Sequence, residues 1–467
     1  MILKQNCPMP LNDVIQSLSQ TLSCTKIRTF LIIVRNIFLL TRPVTTKSIS
    51  GIGGTSHSTI SRFYSSWFDW PLLCLTLFKK LAYRPEDVYI AAVDEVIEGK
   101  AGKHTYGKSI FFSNILKKPI PAISMLAISL INVKTKQSYP MAVTRIVKNE
   151  QDIKRSLKQK EKAKDLQKRK AAGEKPKPKG RSKGVPNSKD PKEEPETLVY
   201  RHPKGLLSAF ITKSVSLFCK KVATYLVGDG GFGSENYFLL ARLFDMHLIT
   251  KLKCNSVLYL PFVGNQKSKG GKTKYGEKIN YNRLDKKYLK SSLINDNVQE
   301  DIFQFQVYNK EIANTLLNVV VVVQTRLDNQ KTGYAVFAST DLNLDALTLI
   351  GYYRLRFEIE IDFRDCKQFN GLADFKNYKQ LQVTNAINIA FATKTITQIL
   401  LSEYRVRLNN PDFSIYDLKA FLNAENKAKF ILKMNREKPH LFLNGHTPNE
   451  VIMQIAQMDA VNIKMRA

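Results

Sequence analysis

Tyr353, Arg356, Glu360 and Lys367 fall within Gly351–Lys367, the run GYYRLRFEIEIDFRDCK. Wound as one α-helix at about 100° per residue, they sit near 0°, −60°, −20° and −40° around the axis. A phenol, a guanidinium, a carboxylate and an ammonium then share one face, while Glu358 and Asp362 project to the opposite side. Such a face suits a divalent cation, taken by the carboxylate, and a phosphate diester, taken by the cations and the hydroxyl. Two further acids follow apolar runs: Val88–Val93 leads into Asp94, and Val222–Val227, with Gly228, into Asp229. In-line cleavage of a phosphodiester requires stabilising both the attacking and the leaving oxygen. Two Mg²⁺ ions roughly 4 Å apart do this when carboxylates from separate elements hold them. Asp94, Asp229 and Glu360 supply such a clamp. Each acid also has a plainer reading. Asp94 pairs with a lysine such as Lys100 while Glu95 or Glu98 takes the metal, Asp229 shapes a glycine turn, and Glu360 pairs with Arg356 and Arg364 at helical spacing. His104, alone in a polar loop, reads as structural.

Composition names the partner class. Seventy-two Lys and Arg against forty Asp and Glu give +32, a balance that calls for a polyanion, most simply nucleic acid. Gln151–Tyr200 holds sixteen basic and eight acidic residues, so most of the excess lies elsewhere in the chain. The six cysteines show no paired spacing, so neither a disulfide framework nor a zinc site is indicated, and a reducing compartment fits. The N-terminus has no signal-peptide layout, and the most apolar stretch, Phe30–Leu40, is short and interrupted by Arg35 and Asn36, a buried helix rather than a membrane span.

The elements that must carry these residues follow from periodicity. Residues 1–82 read as a helical DNA-binding domain, with apolar spacing through Leu11–Leu22 and Ile27–Leu40 and a helix-turn-helix pattern at Thr46–Tyr64. There Gly53 and Gly54 make the turn, and Thr59, Ser61 and Arg62 face outward. An ordinary helical hairpin explains that pattern equally well. Residues 83–253 form the first part of a catalytic core, with a hairpin of Ile123–Val133 and Ser138–Val147 and a basic insertion at 149–204 suited to tracking a phosphate backbone or simply to solvation. A helix at Leu206–Val222 precedes the second acid strand; a helix at about Ser234–Leu243 and the strand His247–Leu252 follow it. Residues 254–340 are an inserted β-rich region with a glycine-lysine loop at Lys267–Lys274. Residues 341–402 complete the core, including an amphipathic helix at Val383–Leu401, and 403–467 are helical, with a capping box at Thr447–Glu450. The order fits an α/β, RNase H-like mixed sheet flanked by helices.

Tyr353-x2-Arg356-x3-Glu360-x6-Lys367 resembles the YREK signature of insertion-sequence transposases of the IS-four type, in the DDE superfamily. Lys100–Gly107, Leu248–Lys253 and Ala338–Leu342 look similar as well, and the resemblance covers about residues 88–400. It implies cut-and-paste DNA transposition by a Mg²⁺-dependent enzyme (two ions, with Mn²⁺ as a substitute). Metal-activated water would cleave the end of the element, and the freed 3′-hydroxyl would join target DNA. Asp94, Asp229 and Glu360 would be catalytic metal ligands, with Tyr353, Arg356, Arg364 and Lys367 on the DNA phosphates. Double-stranded DNA, as transposon ends and target, is the implied partner, bound by a homodimer in a prokaryotic cytoplasm, with no membrane. Two departures stand out: Phe357 follows Arg356 where relatives carry Trp, and neither Trp67 nor Trp70 lies in the β-rich region, which puts a hairpin pathway in doubt.

Rival readings remain. Gly228-Asp-Gly230-Gly-Phe-Gly233 fits G-x-G-x-x-G, but His247–Leu252 lacks the closing acid that would bind a ribose, and nucleotide binding leaves the charge unexplained. The glycines read instead as room for DNA backbone. An RNase H-like nuclease without strand transfer, or a silent DNA-binding relic, keeps the fold and changes the outcome.

Overall fold

Apolar runs too short for helices and rich in valine and isoleucine make the strands. The computed structural model describes residues 23–41, 43–148, 150–173, 222–266, 271–312 and 315–437. The strands nearest the acids are β1 (Tyr89–Gly99), β2 (Ser109–Ser113), β3 (Lys118–Asn132), β4 (Ser138–Ile146), β5 (Ala223–Gly228) and β6 (His247–Leu252). β3 pairs antiparallel with β1, β2 and β4, whereas β1 lies parallel to β5 and β5 parallel to β6. That succession is an RNase H-like mixed sheet. The expected strand ending at Asp94 runs on to Gly99, because its second half keeps pairing with β3 after β5 has stopped.

Six more strands follow: β7 (Leu258–Pro261), β8 (Tyr275–Lys278), β9 (Leu289–Asn295), β10 (Val298–Asn309), β11 (Leu316–Arg326) and β12 (Thr332–Ser339). β12 pairs with β6, so the β-rich stretch continues the central sheet, twelve strands among the described residues. The valine run Val319–Val323 lies in β11 between two partners, buried on both faces at Val319–Val321.

The helices before the sheet are α1 (Cys24–Leu39), α2 (Thr46–Gly51), α3 (His57–Tyr64) and α4 (Trp70–Leu77). Gly53 and Gly54 turn between α2 and α3 with φ of +97° and +84°, and Ser56 caps α3, as the spacing anticipates. Ile49, Ile60, Phe63 and Tyr64 are buried. Beyond β4 comes α5 (Glu150–Ala171), highly charged, and beyond β5 comes α6 (Glu235–Leu243). The expected segments Leu11–Leu22 and Thr447–Glu450, the expected helix Leu206–Val222 up to Lys221, most of the basic insertion and half of the glycine-lysine loop lie outside the described residues.

After β12 come α7 (Ala346–Leu355), α8 (Glu358–Gln368), α9 (Gln380–Arg407) and α10 (Ile415–Glu437). α9 departs from the amphipathic helix expected of it. It is buried nearly all round, including Asn385, Asn388, Thr393 and Lys394, as a helix enclosed by other elements must be. Each of two polar groups there has a stated job. Asn385 accepts from Trp70 Nε1 at 2.9 Å and donates to the Tyr64 and Ser66 carbonyls at 2.7 Å each, tying α3 and α4 to the core. Lys394, 1% exposed, bonds Asp365 at 2.6 Å and lies 3.8 Å from Asp362. Asp362 also accepts from Ser129 and Ser138, so α8 is clamped to β3, β4 and α9. No helix among the described residues is long and apolar enough to cross a membrane.

Breaking a buried pair strands its partner charge. Lys394→Met should therefore lower stability by ~3–5 kcal/mol, read as a fall in thermal midpoint, whereas Lys158→Met on α5 should leave the midpoint unchanged.

Candidate active site where the β1–β5 ladder ends

Val93 and Gly228 are the last register partners of the parallel β1–β5 ladder. The next residue of each strand is an acid, so Asp94 and Asp229 stand side by side, with Cα atoms about 5 Å apart by ordinary strand spacing. Asp94 is mostly buried, its side chain 14% exposed. Burial pushes its carboxyl up to about 6, and Asp229 and Glu360 add to the rise; Arg356 and the Glu95 N–H work against it.

Asp229 is held by its own turn. Its Oδ1 accepts from the Gly231 N–H at 2.9 Å, and its carbonyl accepts from Thr250 Oγ1 on β6 at 2.7 Å. Two of the glycines around it, Gly228 and Gly233, serve this turn. A Cβ at Gly228 would meet the Phe232 ring at 2.6 Å, and one at Gly233 would lie 3.1 Å from the Lys251 carbonyl. Thr250 is the positioning residue that motif reasoning passed over. It lies inside Leu248–Lys253, which the resemblance had already marked without giving it a role.

Glu360 comes from α8, and here the single-helix picture fails. The helix breaks at Arg356 and Phe357 into α7 and α8. The Ile359 N–H bonds the Arg356 carbonyl at 3.1 Å and the Glu360 N–H bonds Phe357 at 3.0 Å. These i→i+3 bonds tighten the chain by part of a turn. The break leaves Phe357 exposed, buries Ile359 completely, and puts Glu358 and Glu360 in the first turn of α8, where the helix dipole favours negative charge. The helical wheel does not carry across that break, yet Arg356 and Glu360 still meet.

Arg356 is the hub of the cluster. Its Nη1 lies 2.5 Å from Asp94 Oδ2 and its Nη2 2.8 Å from Glu360 Oε1. Its guanidinium also sits 5.7 Å from the Tyr353 ring, which packs on Phe337 at 4.7 Å. Burial raises the Tyr353 phenol, and Asp229 and Asp94 add to the rise against the pull of Arg356. The structure thus brings together Asp94, Asp229, Tyr353, Arg356 and Glu360. Lys367 stands farther along α8, 3.1 Å from Glu98 Oε2 and donating to the Ile97 carbonyl at 3.1 Å. Arg364 lies apart: it bonds Asp365 at 3.1 Å rather than Glu360.

The alternatives for the first acid also find their places. Glu95 accepts from Ser124 Oγ at 2.6 Å and Glu98 pairs with Lys367. Lys100 does not pair with Asp94. It is buried, donates to the Leu372 and Ala373 carbonyls, and lies 3.7 Å from the Phe375 ring centre; burial lowers its ammonium to about 8.

This geometry and the family comparison converge. The family model of the DDE superfamily endonucleases matches residues 17–301, more than half of the chain, and takes in Asp94 and Asp229. The chain belongs to the DDE superfamily of endonucleases. The transposase DDE domain matches residues 213–393, which contain Asp229 and Glu360. No curated protein matches the chain. A DDE endonuclease of transposase type is a nucleic-acid-cleaving enzyme, and its charge of +32 agrees with a polyanionic substrate. The carboxylates are hard oxygen donors of the kind Mg²⁺ takes, so the donor chemistry fits such an ion. Among the described residues, no three acids, histidines or cysteines stand as a ready-made ligand group; Arg356 lies between two of the acids.

Removing Arg356 leaves Asp94 among like charges. Arg356→Ala should cost ~1–3 kcal/mol of stability at pH 8, where Asp94 is ionised. At pH 5, below the Asp94 value of about 6, the loss should shrink. Thermal midpoints at the two pH values check the sign.

Proposed function

We propose that this DDE endonuclease is an insertion-sequence transposase of the IS-four type, performing cut-and-paste DNA transposition with Asp94, Asp229 and Glu360 as holders of two Mg²⁺ ions. The observation that carries the reading is the meeting of Asp94 and Asp229 at the end of the β1–β5 ladder with the Arg356–Glu360 pair from the α7–α8 corner. When bound, the two ions would supply charge stabilisation to the attacking and leaving oxygens of the phosphodiester. Mn²⁺ is expected to substitute.

The chain's own groups do the positioning. Arg356 offers a planar fork that can exchange a carboxylate for a phosphate oxygen without changing its charge. Lys367, held by Glu98 and the Ile97 carbonyl, is a second cation for the phosphates beside the cut. The raised phenol of Tyr353 keeps its proton, so it donates a hydrogen bond to a phosphate oxygen. Arg364, more than half exposed, is a weaker candidate, reached only by DNA passing over the outside of α8. The helical pair α2 and α3 is proposed to read the element ends, with the exposed Arg62 as its first contact, and two copies are proposed to hold the two ends.

Assays of the full chain on DNA carrying the flanking ends, with a supercoiled target and Mg²⁺, separate the readings. Cleavage with joined product, lost in Asp229→Asn and Glu360→Gln while DNA binding persists, is the expected result. Cleavage without joining would leave a nuclease, and binding with neither a silent relic. Cutting by Glu360→Gln at the normal rate would remove Glu360 from the site. Lys367→Ala should weaken binding to cleaved ends more than to intact duplex, by roughly tenfold for a lost charge-assisted contact.

A further inference from the structure

Between Lys100 and Lys148 the chain carries nine Lys and Arg and no Asp or Glu. This acid-free stretch contains a hairpin, β2 with the first part of β3, whose turn spans residues 114–117. Strand alternation buries Phe111 and turns Ile110 and Phe112 outward, 43% and 54% exposed. At the turn Ile115 is 89% and Leu116 55% exposed, with Lys117 and Lys118 exposed beside them. Lys148 lies 4.5 Å from the Phe111 ring centre and donates to the Ile110 carbonyl at 2.7 Å, which fixes the hairpin base against the segment leaving β4. Exposing a contiguous set of large apolar side chains earns nothing in the free protein and marks a contact surface.

The register says where this surface stands. Asp94 pairs with Ala127 and Gly99 with Ala122, while Lys118 at the far end of β3 pairs with Ser113. The hairpin therefore leaves the sheet at the end where Asp94 and Asp229 lie. From Ala127 to Lys118 is nine residues, roughly 30 Å along an extended strand. That is about nine base steps of duplex at about 3.4 Å each.

We propose that the tip of this hairpin is a DNA-contacting wedge. Ile115 and Leu116 press against a base step of the bound duplex, about nine steps from the scissile phosphate, while Lys117 and Lys118 hold the flanking phosphates. Apolar side chains inserted beside cations are how proteins unstack and bend a duplex through its minor groove. An anionic membrane or a second copy of the chain are the other surfaces that take exposed apolar groups. DNA is favoured because the stretch carries only positive charge among its ionised side chains, because two copies at +32 repel, and because the hairpin projects from the acid end of the sheet. The proposal rests on the transposase reading and extends it to the path of the DNA.

The test uses the full chain and an end-bearing duplex with 2-aminopurine placed singly at successive positions. The wild type should raise 2-aminopurine fluorescence at one step roughly nine pairs from the cut. Ile115→Ser with Leu116→Ser should abolish that rise and weaken binding about tenfold, leaving the salt dependence unchanged. Lys117→Ala with Lys118→Ala should instead lower the slope of log K against log salt by about 2. Both variants alter exposed side chains, and an unchanged thermal midpoint confirms folding. An apolar variant that binds and unstacks like the wild type overturns the wedge. So does one whose only change is lost self-association or lost binding to phosphatidylserine vesicles. A wild type that neither binds nor cuts the duplex overturns the transposase reading itself, so the two failures are distinguishable.

Discussion

Acids gathered at one point repel one another, and this structure is arranged around meeting that cost, which falls hard on Asp94, more buried than Glu360. The β1–β5 ladder forces Asp94 and Asp229 into neighbouring positions, and the α7–α8 corner adds Glu360. Arg356 answers both Asp94 and Glu360 with one planar group. Behind it, Lys394 answers Asp362 and Asp365 from α9, and at the rim Lys367 answers Glu98. Alternate faces of α8 are therefore held by opposite charges, and the helix has little freedom to rotate or slide. A fixed α8 keeps Glu360 at the sheet end.

The backbone contributes as much as the charges. Thr250 holds the Asp229 carbonyl while the Gly231 N–H holds its carboxylate, so two hydrogen bonds fix the turn after β5. Phe232 fills the space that Gly228 leaves open. On the other side, Asn385 and Trp70 bind the preceding helices to α9, and the Val44 N–H bonds Asp374 at 2.8 Å near the end of α8. The helices before the sheet thus share a core with the elements that carry the acids.

Much of this was legible in the chain. Continuous apolar runs gave β1, β5 and β6, the Lys134–Gln137 turn gave the β3–β4 hairpin, and the two glycines gave the corner between α2 and α3. The order of acids gave the meeting of Asp94, Asp229 and Glu360, since the apolar runs before the two aspartates mark where β1 and β5 stop pairing with each other. Three features were not legible, each for a physical reason. The break at Arg356 and Phe357 depends on burying Ile359, a tertiary demand that a 3.6-residue period does not contain. The burial of α9 nearly all round depends on elements distant in sequence that pack against it, and its polar residues look exposed until Lys394 meets Asp365. The partners of Lys100 and Lys367 are carbonyls and an acid distant in sequence, which local spacing cannot pair.

The central claim is that Asp94, Asp229 and Glu360 form one site for divalent cations on bound DNA. Calorimetric titration of Mn²⁺ into the full chain with end-bearing duplex, compared with Asp94→Asn, tests it most directly. Two ions per chain in the wild type, with loss of at least one in the variant, is the result this account predicts. Equal stoichiometry and affinity in both would contradict it, since Asp94 would then hold no metal and the meeting of the acids would be structural alone.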